Sequence, residues 1–223
     1  MADIQFKNSG ALIEGHFLLT SGRHSDKYFE KFTLLKQPKI VETLCNKMAS
    51  AFQNQKVDLV IGAATGGIIL AHEVAKNLDT NGIFAERVGG KMMFRRGFAI
   101  EKNQRVLLVD DVVTTGGSVF EMIDLVKSAG AEIIGIAVMF DRSGGKTKFG
   151  PPTVSFHSEK NEYLGAADCP LCPKRISLTQ LGRTGELLGF KFSILPAGAG
   201  GNAPLFKREN SPFFWVVGFV RAN

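Results

Sequence analysis

The sequence predicts an α/β protein: a parallel sheet flanked by helices. Three observations lead there. Short, continuous apolar runs recur at Val57-Asp-Leu-Val-Ile61, Val106-Leu-Leu-Val109 and Ile133 to Phe140, the pattern of strands buried on both faces. Segments with helical spacing alternate with these runs. The first two runs each lead into a Gly- and Thr-rich loop that opens a helix.

Each element follows from its own residues. Residues 1–36 mix apolar and polar side chains around a turn-rich stretch, Thr20 to Lys27. Val41, Leu44, Cys45, Met48 and Phe52 share one helical face, so a helix is expected over 41–52. The strand at 57–61 passes into Gly62-Ala-Ala-Thr-Gly-Gly67 and a helix reaching about Leu78. Gly82 to Ala85 suits a short strand, and Arg87 to Arg96 a Gly- and Arg-containing loop. The strand at 106–109 ends in Asp110-Asp111, followed by Val-Val-Thr-Thr-Gly-Gly-Ser118, a helix over 121–129 and the strand at 133–140. Three sections are expected: 1–36, a core over 37–184, and an appendage over 185–223. That last section holds a Gly-rich linker at 196–201 and an unpatterned apolar stretch, Phe213 to Phe219.

Composition narrows the function. A chain of 223 residues with 44% hydrophobic and 22% charged residues can bury a full core, which excludes a disordered or disulfide-built protein. The net charge of +6 suits small anionic substrates. Lysines and arginines are not clustered, so nucleic acid is not an expected partner. The longest apolar stretch is too short to span a bilayer, and the first residues, Met1 to Lys7, carry no apolar signal core. Three cysteines, an odd number, fit a reducing cytoplasm. Cys169-Pro-Leu-Cys172 is a lone CxxC: it has no second pair, His157 would bring the ligand count only to three, and Pro173 follows where a redox helix would begin. The histidines at 16, 24, 72 and 157 show no ligand spacing, and His72 falls within a predicted helix as a structural residue. Cys45 belongs to the core face.

The strongest chemical signal is the segment 106–118. Backbone N–H groups and hydroxyls at a helix N-terminus make an anion site, and Gly116 and Gly117 let the backbone approach a phosphate. The adjacent carboxylates Asp110 and Asp111 cannot bind that phosphate; they suit a sugar diol, or a cation that accompanies phosphates. A monophosphate beside a diol describes a ribose 5-phosphate. The simpler reading is that both acids are turn and cap residues.

Four apolar residues, two acids, two aliphatics and Thr-Thr-Gly-Gly-Ser resemble, position by position, the signature of the type I phosphoribosyltransferases. The resemblance implies that family's parallel sheet with a small N-terminal hood. It implies that Thr114, Thr115, Gly116, Gly117 and Ser118 hold the 5-phosphate of phosphoribosyl pyrophosphate, and that Asp110 and Asp111 meet the ribose hydroxyls beside the anomeric carbon. The loop with Thr65 and Gly66 matches the family's pyrophosphate loop. Arg87 and Lys91 match a mobile lid over the leaving pyrophosphate. Lys91, Asp110 and Asp111 are thus the implied catalytic groups, with Mg²⁺ carried mainly by the substrate and Asp110 or Asp111 its only candidate protein ligands.

The stretch Gly15 to Phe29 is similar to the hood of the orotate phosphoribosyltransferases, and Asp141-Arg142 to that subfamily's Asp-Arg pair. The resemblance covers residues 1 to about 183. It places Ser21, Arg23, Tyr28, Phe29, Thr114 and Arg142 around orotate, with Arg142 on its carboxylate. A planar guanidinium suits that bidentate pairing. It also implies a homodimer whose lids cross to the partner's site. Departures are Thr20 and the Thr65-Gly66-Gly67 stretch where many members have lysine, and Met93 where a histidine often follows the lid lysine. A purine phosphoribosyltransferase shares the loop but not the hood or Arg142. A regulator that senses phosphoribosyl pyrophosphate and grips nucleic acid is the alternative of another class.

Overall fold

A computed structural model of the chain describes residues 9–19, 22–158, 165–174 and 176–180, and three short strands within 192–215. Six strands form the main sheet: β3 (Leu59–Ala63), β4 (Asn81–Val88), β5 (Lys91–Met93), β6 (Arg105–Val113), β7 (Glu132–Asp141) and β8 (Thr153–Ser158). Their order is β5-β4-β3-β6-β7-β8. All neighbours run parallel except β5, which turns back antiparallel on β4. This is the expected sheet with an added antiparallel edge.

Helices cover both faces. On one side, α2 (Pro38–Ser50) and α3 (Gly66–Asn77) bury Val41, Leu44, Met48, Leu70 and Val74 against Leu107, Val109 and Met139. On the other, α4 (Gly117–Ser128) buries Val119, Met122 and Val126 against Ile61, Leu108 and Val138. Strands covered on both faces need apolar side chains at every position, which is why β3, β6 and β7 read as unbroken apolar runs.

The connections locate the site. From β3 the chain crosses through α3 to β4, whereas from β6 it crosses through α4 to β7 on the opposite side. The winding therefore reverses between the neighbours β3 and β6. At such a switch point the two following loops diverge and leave a crevice outside the carboxyl ends of the strands. Here those loops are 63–66 and 114–117.

Four elements differ from the sequence reading. β6 does not stop before the acids but carries both within the strand, since Asp110 and Val112 keep ladder partners on β7. The expected loop at 87–96 is largely a hairpin, with Glu86 to Val88 paired to Lys91 to Met93 around Gly89-Gly90. The strand at 82–85 extends to eight residues. β8 is absent from the sequence reading, although Val154 and Phe156 alternate with polar residues along it and pack half-buried on the core.

The N-terminal section is a hairpin, β1 (Leu12–Leu18) and β2 (His24–Phe29), leading into the short helix α1 (Lys31–Leu35). The short strand β9 (Thr179–Gln180) adds parallel to β1. Within the expected appendage, strands 192–194, 206–208 and 214–215 pair antiparallel. The rest of 185–223 lies outside the described residues. Among the described residues, no helix is long and apolar enough to cross a membrane.

The hood docks by an aromatic stack. The Phe29 ring lies 4.4 Å from that of Phe140 at 24°, and Phe140 in turn stacks on His157 at 4.9 Å. Phe29 is buried and belongs to the main core. Phe29→Ala should therefore cost about 3 kcal/mol, or roughly 6–12 °C of melting temperature for a chain of this size. Thermal melts of the variant check this, and an unchanged melting temperature would show that the hood is not held through this ring.

Candidate active site

The centre of the site is the end of β6. Asp110 and Asp111 are 5% and 4% exposed, so two adjacent carboxylates are withdrawn from water. Such burial is costly unless each charge is met. Asp111 is met by Lys31 of α1, whose Nζ lies 2.8 Å from Oδ2. Asp110 accepts only the backbone N–H of Asp111, at 2.9 Å, among its described bonds. Burial, followed by the neighbouring charge of Asp111, pushes the Asp110 pKa well above the usual carboxylate range. Lys31 was not among the residues singled out in the sequence, where it is one of many lysines. Its role follows from α1 folding back over the strand end.

The loop before α3 reaches the same point. Gly66 is buried at the start of the helix, and a Cβ there would collide with the Asp111 carboxylate. Only glycine lets the α3 N-terminus come this close. Thr65 is exposed beside it. The phosphate loop opens α4 on the other side of the crevice. Gly116 stands at the N-cap with φ +83°, a left-handed conformation that glycine adopts freely. A side chain there would also press within 2.6 Å of Phe149. Thr114, Thr115 and Gly117 are exposed and Ser118 half-buried, so free N–H groups and hydroxyls face solvent at a helix N-terminus.

After β7, Asp141 accepts N–H bonds from Ser143 and Gly145 at 2.8 and 2.9 Å, which folds the next loop into a tight turn. That loop covers Gly116 and closes a cavity of about 370 Å³ lined by Val113, Asp141, Thr147, Lys148 and Phe149. Arg142 is half-buried and its backbone is tied to Val113 O at 2.8 Å. Its charge reaches the hood: the Tyr28 pKa is raised by burial and then by Glu30, while Arg142 opposes the rise. Arg142 thus acts on Tyr28, whereas Phe29, the next residue of β2, is turned into the core against Phe140. Arg23 is exposed in the turn between β1 and β2, and Ser21 lies outside the described residues.

The lid residues are not brought to the acids. Arg87 pairs with Glu121 of α4 at 2.7 Å and donates to Gly90 O at 2.8 Å. Met92 N–H donates to the same glutamate at 3.1 Å, and Lys91 is exposed beside it. In this structure the hairpin rests on the flank of α4.

The comparisons with known proteins agree with this geometry. The phosphoribosyl transferase domain family matches residues 33–159. The orotate phosphoribosyltransferase of Caldicellulosiruptor bescii is 44% identical over 177 residues, covering 79% of this chain and 93% of that protein. The chain belongs to the orotate phosphoribosyltransferase family. A second orotate phosphoribosyltransferase, from Chlorobaculum parvum, is 42% identical over 184 residues, 82% of this chain and 95% of its own. Among solved structures, the orotate phosphoribosyltransferase of Aeropyrum pernix is 28% identical, covers 71% of this chain and 94% of its own, and superposes with a TM-score of 0.55. Within this family the fold is the expected type I phosphoribosyltransferase sheet.

One expectation about ligands is corrected. The CxxC was counted with His157 as at most three ligands, but His157 lies on the ring of Phe140. Cys169 and Cys172 instead meet His16 and His24 of the hood hairpin. No sequence spacing links residues 145 or more positions apart; only the docking of the hood brings them together.

The buried acid pair carries a pH signature. A carboxyl whose folded pKa is raised binds an extra proton in the folded state, so its contribution is full below the ordinary carboxylate pKa and lost as pH rises through the raised value. Asn at 110 cannot titrate and can keep the bond from Asp111 N–H. Asp110→Asn should thus raise stability by roughly 1–3 kcal/mol at mildly alkaline pH, with the gain shrinking toward acid, while turnover falls. Melting temperature against pH tests this; a pH-independent difference would show that Asp110 is not held protonated.

Proposed function

We propose that this chain transfers the 5-phosphoribosyl group of phosphoribosyl pyrophosphate to orotate, giving orotidine 5′-phosphate and pyrophosphate, a step of UMP synthesis in the cytoplasm. The observation that carries the reading is the meeting of a helix-opening Thr-Gly loop and two buried carboxylates at the switch point, with Arg142 tied to Val113 next to that loop. The Thr114–Ser118 loop takes the 5-phosphate. Thr65 and Gly66 take the pyrophosphate, next to the α3 N-terminus. Arg142 pairs with the orotate carboxylate, and Tyr28 and Thr114 line the rest of the base pocket.

Orotate's ring nitrogen attacks the anomeric carbon as pyrophosphate leaves. Positive charge builds on the ribose ring and negative charge on the leaving group. Negative charge at Asp111, and at Asp110 once its proton is given up, favours the first, and Arg87 and Lys91 the second when the lid closes. Asp110, a buried carboxyl with one backbone donor, and Asp111 are hard oxygen donors of the type a divalent cation takes. Mg²⁺ bound with the substrate would neutralise the departing pyrophosphate. A purine base is the poorer reading, because a carboxylate-pairing arginine has no partner on a purine. A nucleic-acid-binding regulator is poorer too, since the lysines and arginines are not clustered along the chain.

The direct assay follows the loss of orotate absorbance with phosphoribosyl pyrophosphate and Mg²⁺, against hypoxanthine, guanine and xanthine as rival bases. Turnover of a purine and not of orotate would overturn the reading. Arg142→Ala should raise the orotate KM roughly 30- to 1000-fold, the loss of a charge-assisted pair, and leave the KM for phosphoribosyl pyrophosphate nearly unchanged. Equal damage to both would make Arg142 structural.

The chain is further proposed to act as a homodimer in which each lid serves the partner's site. The attachment of Arg87 to its own α4 rather than to the acids supports this. Lys91→Ala and Asp111→Asn homodimers should both be nearly inactive. Re-annealed mixtures should regain about a quarter of wild-type activity, because half the dimers are hybrids with one intact site. No recovery after proven subunit exchange would return Lys91 to its own subunit.

A further inference from the structure

The cluster where the hood meets the segment after β8 has no part in the chemistry above. His16 lies on β1, His24 on β2, and Cys169 and Cys172 flank a tight turn closed by Cys172 N–H to Cys169 O at 3.3 Å. His16, His24 and Cys169 are buried and Cys172 is half-buried. Their ligand atoms all lie within 4.8 Å of one another. Cys169 Sγ is 3.4 Å and Cys172 Sγ 3.8 Å from His16 Nε2; Cys172 Sγ is 3.3 Å from His24 Nδ1. The two imidazole nitrogens are 2.9 Å apart.

We infer that His16, His24, Cys169 and Cys172 form a structural zinc site that clasps the hood hairpin to the segment following β8. A tetrahedral zinc with bonds of about 2.3 Å to sulfur and about 2.0–2.1 Å to nitrogen has edges of roughly 3.3–3.8 Å between its ligands. Of the six ligand pairs, three fall in that range at the distances above, the nitrogen pair needs to open by a few tenths of an ångström, and the remaining two lie within 4.8 Å. Two thiolates with two imidazoles suit zinc over hard cations. Four protein ligands leave no open position, the arrangement of a structural and not a catalytic ion.

The surrounding geometry supports the assignment. His16 Nδ1 lies 2.9 Å from Ile176 O. A carbonyl only accepts, so Nδ1 carries the proton and Nε2 turns its lone pair into the cluster, the tautomer a metal requires. The register of β1 against β2 shifts between Glu14 and Phe17, inserting one extra residue beside His16. Bulges of this kind re-aim a side chain. Leu18 and His24 are cross-strand partners, and His16, two residues before Leu18, shares their face. Hydrogen bonds could serve these four groups only in pairs, whereas one cation satisfies all four together. All three cysteines are free thiols. The site would hold one end of the hairpin whose other end, Tyr28-Phe29, reaches the base pocket.

The test uses the full chain purified without a polyhistidine tag. Elemental analysis should find about one zinc per chain, and its replacement by Co²⁺ should give the intense visible bands of tetrahedral cobalt with thiolate charge transfer in the near ultraviolet. Cys172→Ser and His24→Ala should each lose most of the metal, while Cys45→Ala keeps it. A strong chelator should lower the melting temperature by roughly 5–15 °C. Zinc below about a tenth per chain, together with an octahedral cobalt spectrum, would overturn the proposal. So would a Cys169–Cys172 disulfide in the freshly isolated protein, or full zinc retention by Cys172→Ser. The wild-type metal content and cobalt spectrum decide the matter even if both ligand variants fail to fold.

Discussion

The structure depends on keeping two carboxylates buried at the end of its central strand. β6 is covered on both faces, so Asp110 and Asp111 sit where apolar side chains would be cheaper. Much around them is arranged to make that tolerable. α1 supplies Lys31, the α3 N-terminus closes in through Gly66, and the backbone of Asp111 meets Asp110. The carboxylates are left only partly compensated, which suits groups that must stabilise positive charge arriving with a substrate. Stability given up at such a site is the usual companion of function.

The same position explains the rest of the architecture. Because the winding reverses between β3 and β6, the loops of α3 and α4 diverge and two helix N-termini face one crevice. Phosphates can enter from both sides of the acid pair, one at 63–66 and one at 114–118. The loop after β7 roofs the second through Thr147 and Phe149, and it also presents Arg142. On the proposed reading the sheet holds the sugar phosphates, while the specificity for a base is left to what packs on its edge.

That task falls to the hood, a hairpin too small to hold its shape alone. It is anchored at two separate places. Phe29 stacks on Phe140 at the sheet, and His16 and His24 meet the two cysteines at the opposite end of the hairpin. Between them, Tyr28 comes under the field of Arg142. A base pocket made from separate parts of the chain needs such anchoring, since a shift of an ångström in its wall would misplace the reacting ring.

By itself, the sequence determined the sheet, its helices and the helix-opening Thr-Gly loop after the acids. These are local properties: doubly covered strands such as 106–109 must be apolar throughout, the helix of Val41 to Met48 must repeat its apolar face, and a helix-opening Thr-Thr-Gly-Gly-Ser has its chemistry in its own backbone. Only the tertiary structure decided that β6 extends through its acids, that the lid is a hairpin resting on Glu121, and that Lys31 neutralises Asp111. Only it brought His16 and His24 to Cys169 and Cys172. Each of these is a meeting of residues distant in the chain. Periodicity and motif spacing report what neighbours do together; partners separated by a whole domain are chosen by packing, and packing exists only once the chain has folded.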